Sequence, residues 1–326
     1  MYSSAQILQI IDDAIRTLDL ESHPPGLFDP IKYTLSNGGK RIRPAFMLIA
    51  CDLYGGSTDG ALLPALGMEV FHNFTLLHDD LMDEADIRRN RPTVHKKWNR
   101  NTAILSGDAM LISAYRLISE TPVPHLKEIL SLFTQTALEI CEGQQFDMEF
   151  ESRTDVTEEE YIEMIRLKTA VLLACCLKAG AIIGGAPHAG AERLYRFGLY
   201  LGLAFQLQDD LLDVYGNPQM FGKNIGGDIL CDKKTFLLIH ALRQASEQQQ
   251  HIIAQYQSCD GRRFAPAEKI AAITAIYDRL QIKELTENRI AHYYGKAMDE
   301  LAGLDVPAAR LAVMRHMSER LMKRES

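Results

Sequence analysis

Two stretches of apolar sequence carry the same acidic pattern, FHNFTLLHDDLMD at residues 71–83 and AFQLQDDLLD at residues 204–213. Both contain DDLxD, and the residues around it have the spacing of buried helices. Residues four apart lie on one face of a helix, so the first and last aspartates of each motif project in the same direction. These are Asp79 and Asp83 in the first motif and Asp209 and Asp213 in the second.

Paired carboxylates on one helix face have a chemical meaning. They repel each other, and burying them without a partner costs stability. Mg²⁺ removes that cost, because it takes oxygen ligands and typically binds a few carboxylates together with substrate phosphates. A single motif could equally be a solvated acidic turn, but two of them in apolar surroundings favour a magnesium and diphosphate site.

Basic residues accompany the acidic motifs, although the formal net charge of the chain is −8. GGKRIRP, residues 38–44, places Lys40 and Arg43 after a glycine-rich turn, and Arg88 and Arg89 follow the first motif. Arginine forks suit phosphate oxygens, and lysine supplies a point charge. Each residue alone is more often an ordinary surface cation, but together they indicate an anionic ligand. The remaining cations of this set are Lys168, Lys223 and Lys233.

The composition favours helices. Leucine occurs 41 times and valine only 8 times among 326 residues, and unbranched leucine suits helices while β-branched residues suit sheets. Apolar residues recur at helical spacing between short Gly- and Pro-rich breakers, and no shift in composition marks a domain boundary. We therefore predict ten or more helices joined by short loops, in a single all-helical domain over residues 1–326.

Several functional classes are unlikely on these grounds. The acidic balance provides no surface for nucleic acid. The six cysteines form no CxxC pair, which disfavours a zinc site or disulfide framework and indicates a reduced setting. The first residues, MYSSAQILQIIDDAIR, do not resemble a signal peptide, and the longest apolar stretch is too short and too broken by Lys178 for a membrane span. We expect a cytoplasmic protein.

The motifs together resemble the trans-isoprenyl diphosphate synthases, the polyprenyl synthetase family that includes farnesyl and geranylgeranyl diphosphate synthases. GGKRIRP, LLHDDLMD, PTVH, GQQFD, KT, FQLQDDLLD and GKNIGGD follow in the family's order between about Lys32 and Leu242. The resemblance implies an all-α isoprenoid synthase fold, a helical bundle around a deep central cavity with the acidic motifs facing each other at its mouth. It also implies a homodimer.

The resemblance further implies a role for each matching residue. It predicts three Mg²⁺ per active site, bound by Asp79, Asp83 and Asp209, with Asp80 and Asp213 in support. It places the diphosphate of isopentenyl diphosphate on Lys40, Arg43, His72 and Arg89. It places the allylic diphosphate on Arg88, Lys168, Thr169, Gln206, Lys223 and Lys233. The residues predicted to act in catalysis are Asp79, Asp83, Asp209, Lys168 and Arg88.

Two residues depart from the family pattern, since Asn90 and Asp232 stand where the family usually has glycine. Asparagine tolerates a left-handed backbone, so we expect the turn after Arg88 and Arg89 to form. Asp232 directly precedes Lys233, and we expect its charge to weaken the local positive field.

The reaction implied by the resemblance is a Mg²⁺-dependent condensation of isopentenyl diphosphate with dimethylallyl, geranyl or farnesyl diphosphate. Product length should depend on the depth of the cavity below the first motif. Phe74, five residues before Asp79, lies about 7.5 Å down the helix and is the expected floor. Thr75 is small and leaves room for one more isoprene unit, and Phe71 is a further possible stop. We predict geranylgeranyl diphosphate (C20) as the product, with farnesyl diphosphate (C15) as the alternative.

Three other functions deserve comparison. A terpene cyclase would normally replace the second DDxxD and would lack the site formed by Lys40, Arg43 and His72. A non-catalytic partner subunit would have lost acidic or basic site residues. A purely structural helical protein, with its acids on solvated faces, would not bind a diphosphate in the presence of Mg²⁺.

Overall fold

Helices form nearly all of the regular structure. The computed structural model describes residues 2–20, 23–216, 225–257 and 264–323. Within these ranges more than ten α-helices are joined by short loops, which confirms the helical prediction. The only strands in the described part of the chain are β1 (Ile87–Arg88) and β2 (Arg91–Pro92), which pair antiparallel.

The helices follow one another along the chain with few long connections. The first nine are α1 (Ser4–Thr17), α2 (Pro25–Leu35), α3 (Ile42–Leu53), α4 (Thr58–Met82), α5 (Val94–Lys97), α6 (Arg100–Ile118), α7 (Val123–Ser152), α8 (Glu158–Ile165) and, after a π-helical turn (Arg166–Ala170), α9 (Val171–Ile183). The remainder are α10 (His188–Tyr215), α11 (Gly227–Leu230), α12 (Phe236–Gln244), α13 (Glu247–Gln257), α14 (Pro266–Arg279), α15 (Ile282–Ala302) and α16 (Ala308–Lys323).

The chain divides into two compact units. The first comprises residues 1–135, 172–196 and 300–326, and the second comprises residues 136–171 and 197–299. The first acidic motif belongs to the first unit and the second motif to the second unit. Each unit is built by its own buried core.

Helix α4 is central to the first unit and packs against α3 and α6. The side chain of Ser57 caps its N-terminus by accepting a hydrogen bond from the N–H of Asp59 at 3.2 Å. Two glycines allow α4 and α6 to approach closely. A Cβ on Gly67 would lie 2.7 Å from Ile118, and one on Gly107 would overlap the imidazole of His78. This packing fixes the helix that ends in the first acidic motif.

In the second unit, α8 begins at a capping box. The N–H of Glu160 donates to the hydroxyl of Thr157 at 3.2 Å, and the N–H of Thr157 donates to the Glu160 carboxylate at 2.9 Å. The buried side chains behind this helix form one cluster, in which burial of each large apolar group contributes about 2 kcal/mol. Its largest members are Phe150, Tyr161, Met164, Leu207 and Phe236.

The π-helical turn directly follows α8. The N–H of Val171 donates to the carbonyl of Arg166, five residues earlier, so this turn contains one residue more than an α-helical turn. Glycines of α7 and α10 lie against it. A Cβ on Gly143 would overlap the backbone of Lys168, and one on Gly202 would lie 2.6 Å from Ala170.

No helix in the described ranges combines the length and the apolar character that crossing a membrane requires.

Candidate active site

The first acidic motif lies at the C-terminal end of α4. The N–H of Asp83 donates to the carbonyl of Asp79 at 2.9 Å, so the two residues are one helical turn apart, as the spacing predicted. The Asp79 side chain is part-exposed and Asp83 is exposed. Both carboxylates can therefore be reached by a ligand.

The middle aspartate of the first motif is buried instead. Asp80 is 6% exposed and accepts a hydrogen bond from Nε of Arg88 at 2.7 Å. Burial raises the pKa of Asp80 to about 6, against the opposing effect of Arg88, and the charges of Asp79 and Asp83 add to the rise. A second nitrogen of Arg88 lies 3.5 Å from Asp79, so Arg88 bridges the motif.

The pair of strands β1 and β2 positions the two arginines that follow the motif. Arg89 and Asn90 form its turn with left-handed φ values of 51° and 61°. The turn expected from asparagine at position 90 is therefore confirmed. The Arg89 guanidinium donates to the carbonyl of Gly38 and packs on Gly39, which connects this turn to the glycine-rich loop before α3.

Three of the four residues predicted to bind isopentenyl diphosphate are close together. Nη1 of Arg43 lies 3.1 Å from Nε2 of His72. Burial, followed by the charges of Arg43, Arg89, Arg88 and Arg41, lowers the pKa of His72 well below its usual value. A neutral His72 accepts the hydrogen bond from Arg43 and orients it. Nε of Arg43 is buried and has no hydrogen-bond partner in the described part of the chain. The fourth residue, Lys40, is exposed in the adjoining loop.

The second acidic motif, in the second unit, repeats this arrangement. Asp209 and Asp213 are part-exposed, whereas Asp210 is 5% exposed. Asp210 accepts hydrogen bonds from the hydroxyl of Tyr161 and, at 3.0 Å, from Nε2 of Gln206. Burial, reinforced by Asp228, raises the pKa of Asp210 to about 8 despite these bonds. The middle aspartate of each motif is thus held by its own neighbours, whereas the outer two are part-exposed or exposed.

Asp213 also has a local partner. Its carboxylate accepts a hydrogen bond from the N–H of Asp228 at 2.9 Å, in the first turn of α11. Asp213, predicted as a supporting metal ligand, therefore orders the segment that precedes Lys233.

Three of the residues predicted to bind the allylic diphosphate, Lys168, Thr169 and Gln206, lie in or beside the π-helical turn. The hydroxyl of Thr169 donates to Gln206 at 3.0 Å, and Nζ of Lys168 lies 2.6 Å from the carboxylate of Asp147. A π-helical turn shifts the side-chain register by about one residue, which sets the direction of Lys168 and Thr169. Lys223 lies outside the described residues.

Lys233 lies just before α12, and its positive charge lowers the pKa of the buried Asp210. Asp232 precedes it in a left-handed conformation with φ of 54°, the conformation that glycine would adopt freely. Lys269 lies 2.8 Å from Asp232 and also donates to the carbonyl of Leu230. The expected weakening of the positive field by Asp232 is therefore offset by Lys269.

Residues 24–276 match the family model described as polyprenyl synthetase. The chain belongs to the polyprenyl synthetase family. A geranylgeranyl diphosphate synthase of Methanosarcina mazei is 41% identical over 237 residues, covering 72% of this chain and 73% of the relative. A (2E,6E)-farnesyl diphosphate synthase of Mycobacterium bovis is 32% identical over 291 residues, covering 89% of this chain and 81% of the relative.

A crystal structure of a geranylgeranyl pyrophosphate synthase is similar over the whole chain. It is 39% identical, covers 100% of both chains and superposes with a TM-score of 0.95. The predictions of an all-α isoprenoid synthase fold and of a trans-prenyltransferase of the polyprenyl synthetase family are confirmed.

The donor chemistry of the motifs fits the Mg²⁺ dependence of polyprenyl synthetases. Magnesium uses one or two carboxylates and completes its shell with water and substrate phosphates. In the described ranges, no three His, Cys, Asp or Glu side chains are gathered as in a preformed metal cage. The part-exposed carboxylate of Asp79 and the exposed carboxylate of Asp83 offer oxygen ligands of the kind that Mg²⁺ prefers.

The residues predicted to limit product length differ in their surroundings. Phe71 is 1% exposed and packs edge-to-face on Phe133 at 5.0 Å between ring centroids. Phe74 is part-exposed and lies 4.8 Å from the ring of His78. Thr75 is also part-exposed, and its hydroxyl donates to the carbonyl of His72. Phe71 is thus enclosed among aromatic rings, while Phe74, whose ring centroid lies 5.5 Å from that of Phe71, stays part-exposed.

Sequence reasoning assigned no role to several residues of the site. Asp147 lies in GQQFD, which marked the segment without indicating that its carboxylate pairs with Lys168. Tyr161 lies seven residues before Lys168, and its spacing resembles that of an ordinary core residue. Lys269 lies beyond the last motif, where the sequence carried no signal.

Proposed function

We propose that this polyprenyl synthetase makes geranylgeranyl diphosphate by successive condensation of isopentenyl diphosphate with dimethylallyl, geranyl and farnesyl diphosphates. The observation that carries the product length is the part-exposed ring of Phe74 beside the small Thr75 on α4, below Asp79. The names of similar proteins, such as the Methanosarcina mazei enzyme, support the same product. Asp79, Asp83 and Asp209 would bind three Mg²⁺ per active site.

In this proposal the cations of the first unit hold isopentenyl diphosphate. The Arg43 guanidinium, oriented by neutral His72, binds the diphosphate together with Arg89 and Lys40. Because His72 is neutral, its Nε2 holds Arg43 and adds no charge of its own.

The allylic diphosphate is bound by Lys168, Thr169, Gln206 and Lys233, and by Lys223 and Arg88. Magnesium supplies charge stabilisation for the departing diphosphate when it is bound. The lysines and Arg88 add to that stabilisation as negative charge develops on the leaving group. The allylic cation is attacked by the double bond of isopentenyl diphosphate, and the released diphosphate takes the proton. No side-chain nucleophile is required.

We also propose that residues 1–326 act as a single all-helical polyprenyl synthetase domain. The protein would work as a homodimer in the cytoplasm. Dimerisation is checked by measuring the molar mass in solution by light scattering.

The proposal is tested by incubating the protein with Mg²⁺, labelled isopentenyl diphosphate and the C5, C10 or C15 allylic primer. The products are dephosphorylated and separated by chromatography. We expect C20 alcohol from every primer. A cyclic hydrocarbon formed without isopentenyl diphosphate would instead assign the protein to the terpene cyclases, and absence of any product would contradict the proposal.

Farnesyl diphosphate is the second candidate product, favoured by the aromatic ring at position 74. If that ring stops the growing chain early, C15 alcohol accumulates from the C5 and C10 primers. The C15 primer is then not extended, which separates the two candidates in the same experiment.

A further inference from the structure

Arg41 occupies an unusual position between two residues of the proposed isopentenyl diphosphate site. It follows Lys40 and lies two residues before Arg43. Its backbone is left-handed, with φ of 47° and ψ of 34°, and α3 begins at the next residue. A left-handed conformation is unfavourable for a residue with a side chain, so contacts of the side chain must maintain it.

Those contacts are extensive, and Arg41 is only 5% exposed. Nη1 donates to Glu69 of α4 at 2.7 Å, and Nη2 donates to the carbonyl of Leu35 at the end of α2 at 2.8 Å. Nε faces Asp12 of α1 at 3.5 Å. One guanidinium thus connects the cationic loop to three different helices.

Glu69 is the main partner and is itself held in place. It is 3% exposed, and Nδ2 of Asn73 donates to its carboxylate at 3.1 Å and to its carbonyl at 2.8 Å. Glu69 lies three residues before His72 and therefore on the same side of α4. Its charge acts on the guanidinium groups of Arg43 and Arg89 as well as on Arg41.

We propose that Arg41 and Glu69 are positioning residues for isopentenyl diphosphate, which fix the loop bearing Lys40 and the first turn of α3 bearing Arg43 against the face of α4 that bears His72. This rests on the proposed function of that site. Neither residue needs to touch the substrate. Their ion pair holds the cations at the spacing that a diphosphate requires, and it prevents the strained loop from relaxing.

Replacing Glu69 with glutamine separates this proposal from a simple effect of charge. Glutamine keeps the size of the side chain but leaves the buried Arg41 without its main counter-charge. If Glu69 affected binding only through its field, Glu69→Gln would strengthen diphosphate binding, because it removes a negative charge near Arg43 and Arg89. A positioning role predicts the opposite sign, because the loop loses its fixed partner.

The experiment measures KM for isopentenyl diphosphate, KM for the allylic primer, kcat and thermal stability in Glu69→Gln and Arg41→Lys. Arg41→Lys keeps the charge but loses the fork that reaches both Glu69 and Leu35. We expect KM for isopentenyl diphosphate to rise about tenfold in each variant, while KM for the primer changes less than about twofold. Arg16→Met, which removes an exposed arginine of α1 paired with Asp13, serves as the matched control.

Tighter binding of isopentenyl diphosphate in Glu69→Gln, or an equal rise in both KM values, would overturn the proposal. Asn73→Ala loosens Glu69 without altering any charge, so it provides a milder test if the first variants fold poorly. It should raise the same KM by a smaller factor, and an unchanged KM would count against the proposal. Calorimetric titration with isopentenyl diphosphate tests the same residues even if the wild-type protein forms no product. Failure of the proposed function can therefore be distinguished from failure of the positioning role of Arg41 and Glu69.

Discussion

The individual aspartates of each motif have different environments, although the pattern DDLxD makes them look alike. Asp80 is buried against Arg88, and Asp210 is buried against Tyr161 and Gln206. Burial disfavours the charged form, so these two carboxyls are poorly suited to be the first contacts of an incoming cation. The outer residues of each motif remain accessible.

We therefore predict that Asp79→Ala lowers kcat by about a thousandfold or more. The substitution removes a carboxylate that would hold magnesium, and magnesium is the ion that would stabilise the negative charge of the leaving group. The circular dichroism spectrum should stay unchanged, since Asp79 is part-exposed. Asp299→Ala, on the exposed side of α15, is the control and should retain full activity. A fully active Asp79→Ala enzyme would remove Asp79 from the proposed metal site.

Phe74 gives a second prediction at this scale. Phe74→Ala should lengthen the product beyond C20, because the ring that faces a ligand is replaced by a methyl group. The cost in stability should fall below the about 3–5 kcal/mol typical of a fully buried phenylalanine, since Phe74 is part-exposed. Chromatography of the alcohols measures the length. An unaltered product would place the floor of the cavity elsewhere.

His72 makes the stability of the protein depend on pH. The pKa of His72 is lowered in the folded state, chiefly by desolvation. At pH values between this lowered pKa and the ordinary pKa of about 6.5, the unfolded chain binds a proton at His72 and the folded chain does not. The contribution of His72 is present above pH 6.5 and is lost as the pH falls. We predict that wild type loses more thermal stability than His72→Gln between pH 7.5 and pH 5.5. Equal losses in both proteins would contradict a His72 that is neutral in the folded state.

Among the elements, α4 and α10 were predictable because the spacing of the apolar residues and the spacing of the aspartates both indicate a helix. The left-handed turn at Asn90 was predictable from the residue itself. The π-helical turn at Lys168 was not, because its register depends on contacts with Gly143 and Gly202, which are distant in sequence. The left-handed backbone conformation of Arg41 was not predictable for the same reason, since the residues that its side chain contacts lie on other helices.

The contact between α4 and α6 yields a prediction for an element. Gly107→Ala would place a methyl group against the imidazole of His78, the residue next to Asp79. We expect a loss of about 1–3 kcal/mol in the free energy of unfolding and a lower kcat, because the end of α4 must shift. Chemical denaturation and steady-state kinetics measure the two effects.

Gly26→Ala is the matched control, since an added Cβ there meets no atom within 4 Å and the backbone is not left-handed. It should change neither quantity by a measurable amount. A Gly107→Ala protein as stable and as active as this control would show that α6 can move away without disturbing the motif.

For the whole molecule, sequence alone predicted the helical class and the family, and both are confirmed, whereas the metal-binding role of the acidic motifs stays a prediction. It did not predict that the motifs fall in separate compact units, because that division depends on which helices pack together. No composition shift near residues 135, 171, 196 or 299 marks it, and the chain passes repeatedly from one unit to the other.

A ligand that needs both motifs should stabilise the whole protein. A bisphosphonate with Mg²⁺ at about one hundred times its Kd contributes about 2.7 kcal/mol to the folded state, which corresponds to a Tm higher by roughly 4 °C for a chain of 326 residues. EDTA should abolish the shift, and Asp209→Ala should greatly reduce it. A protein whose acids are merely solvated surface groups would show no shift under any of these conditions.

The extra residue in the turn Arg166–Ala170 restricts how the length of this chain can vary. Loss of one residue there would allow regular α-helical hydrogen bonding to continue from α8 into α9, yet it would turn Lys168 and Thr169 by about 100° relative to either α8 or α9, depending on which residue is lost. A better helix would then make a poorer enzyme. Insertions and deletions in homologous genes should accordingly fall in the loops and spare this short segment.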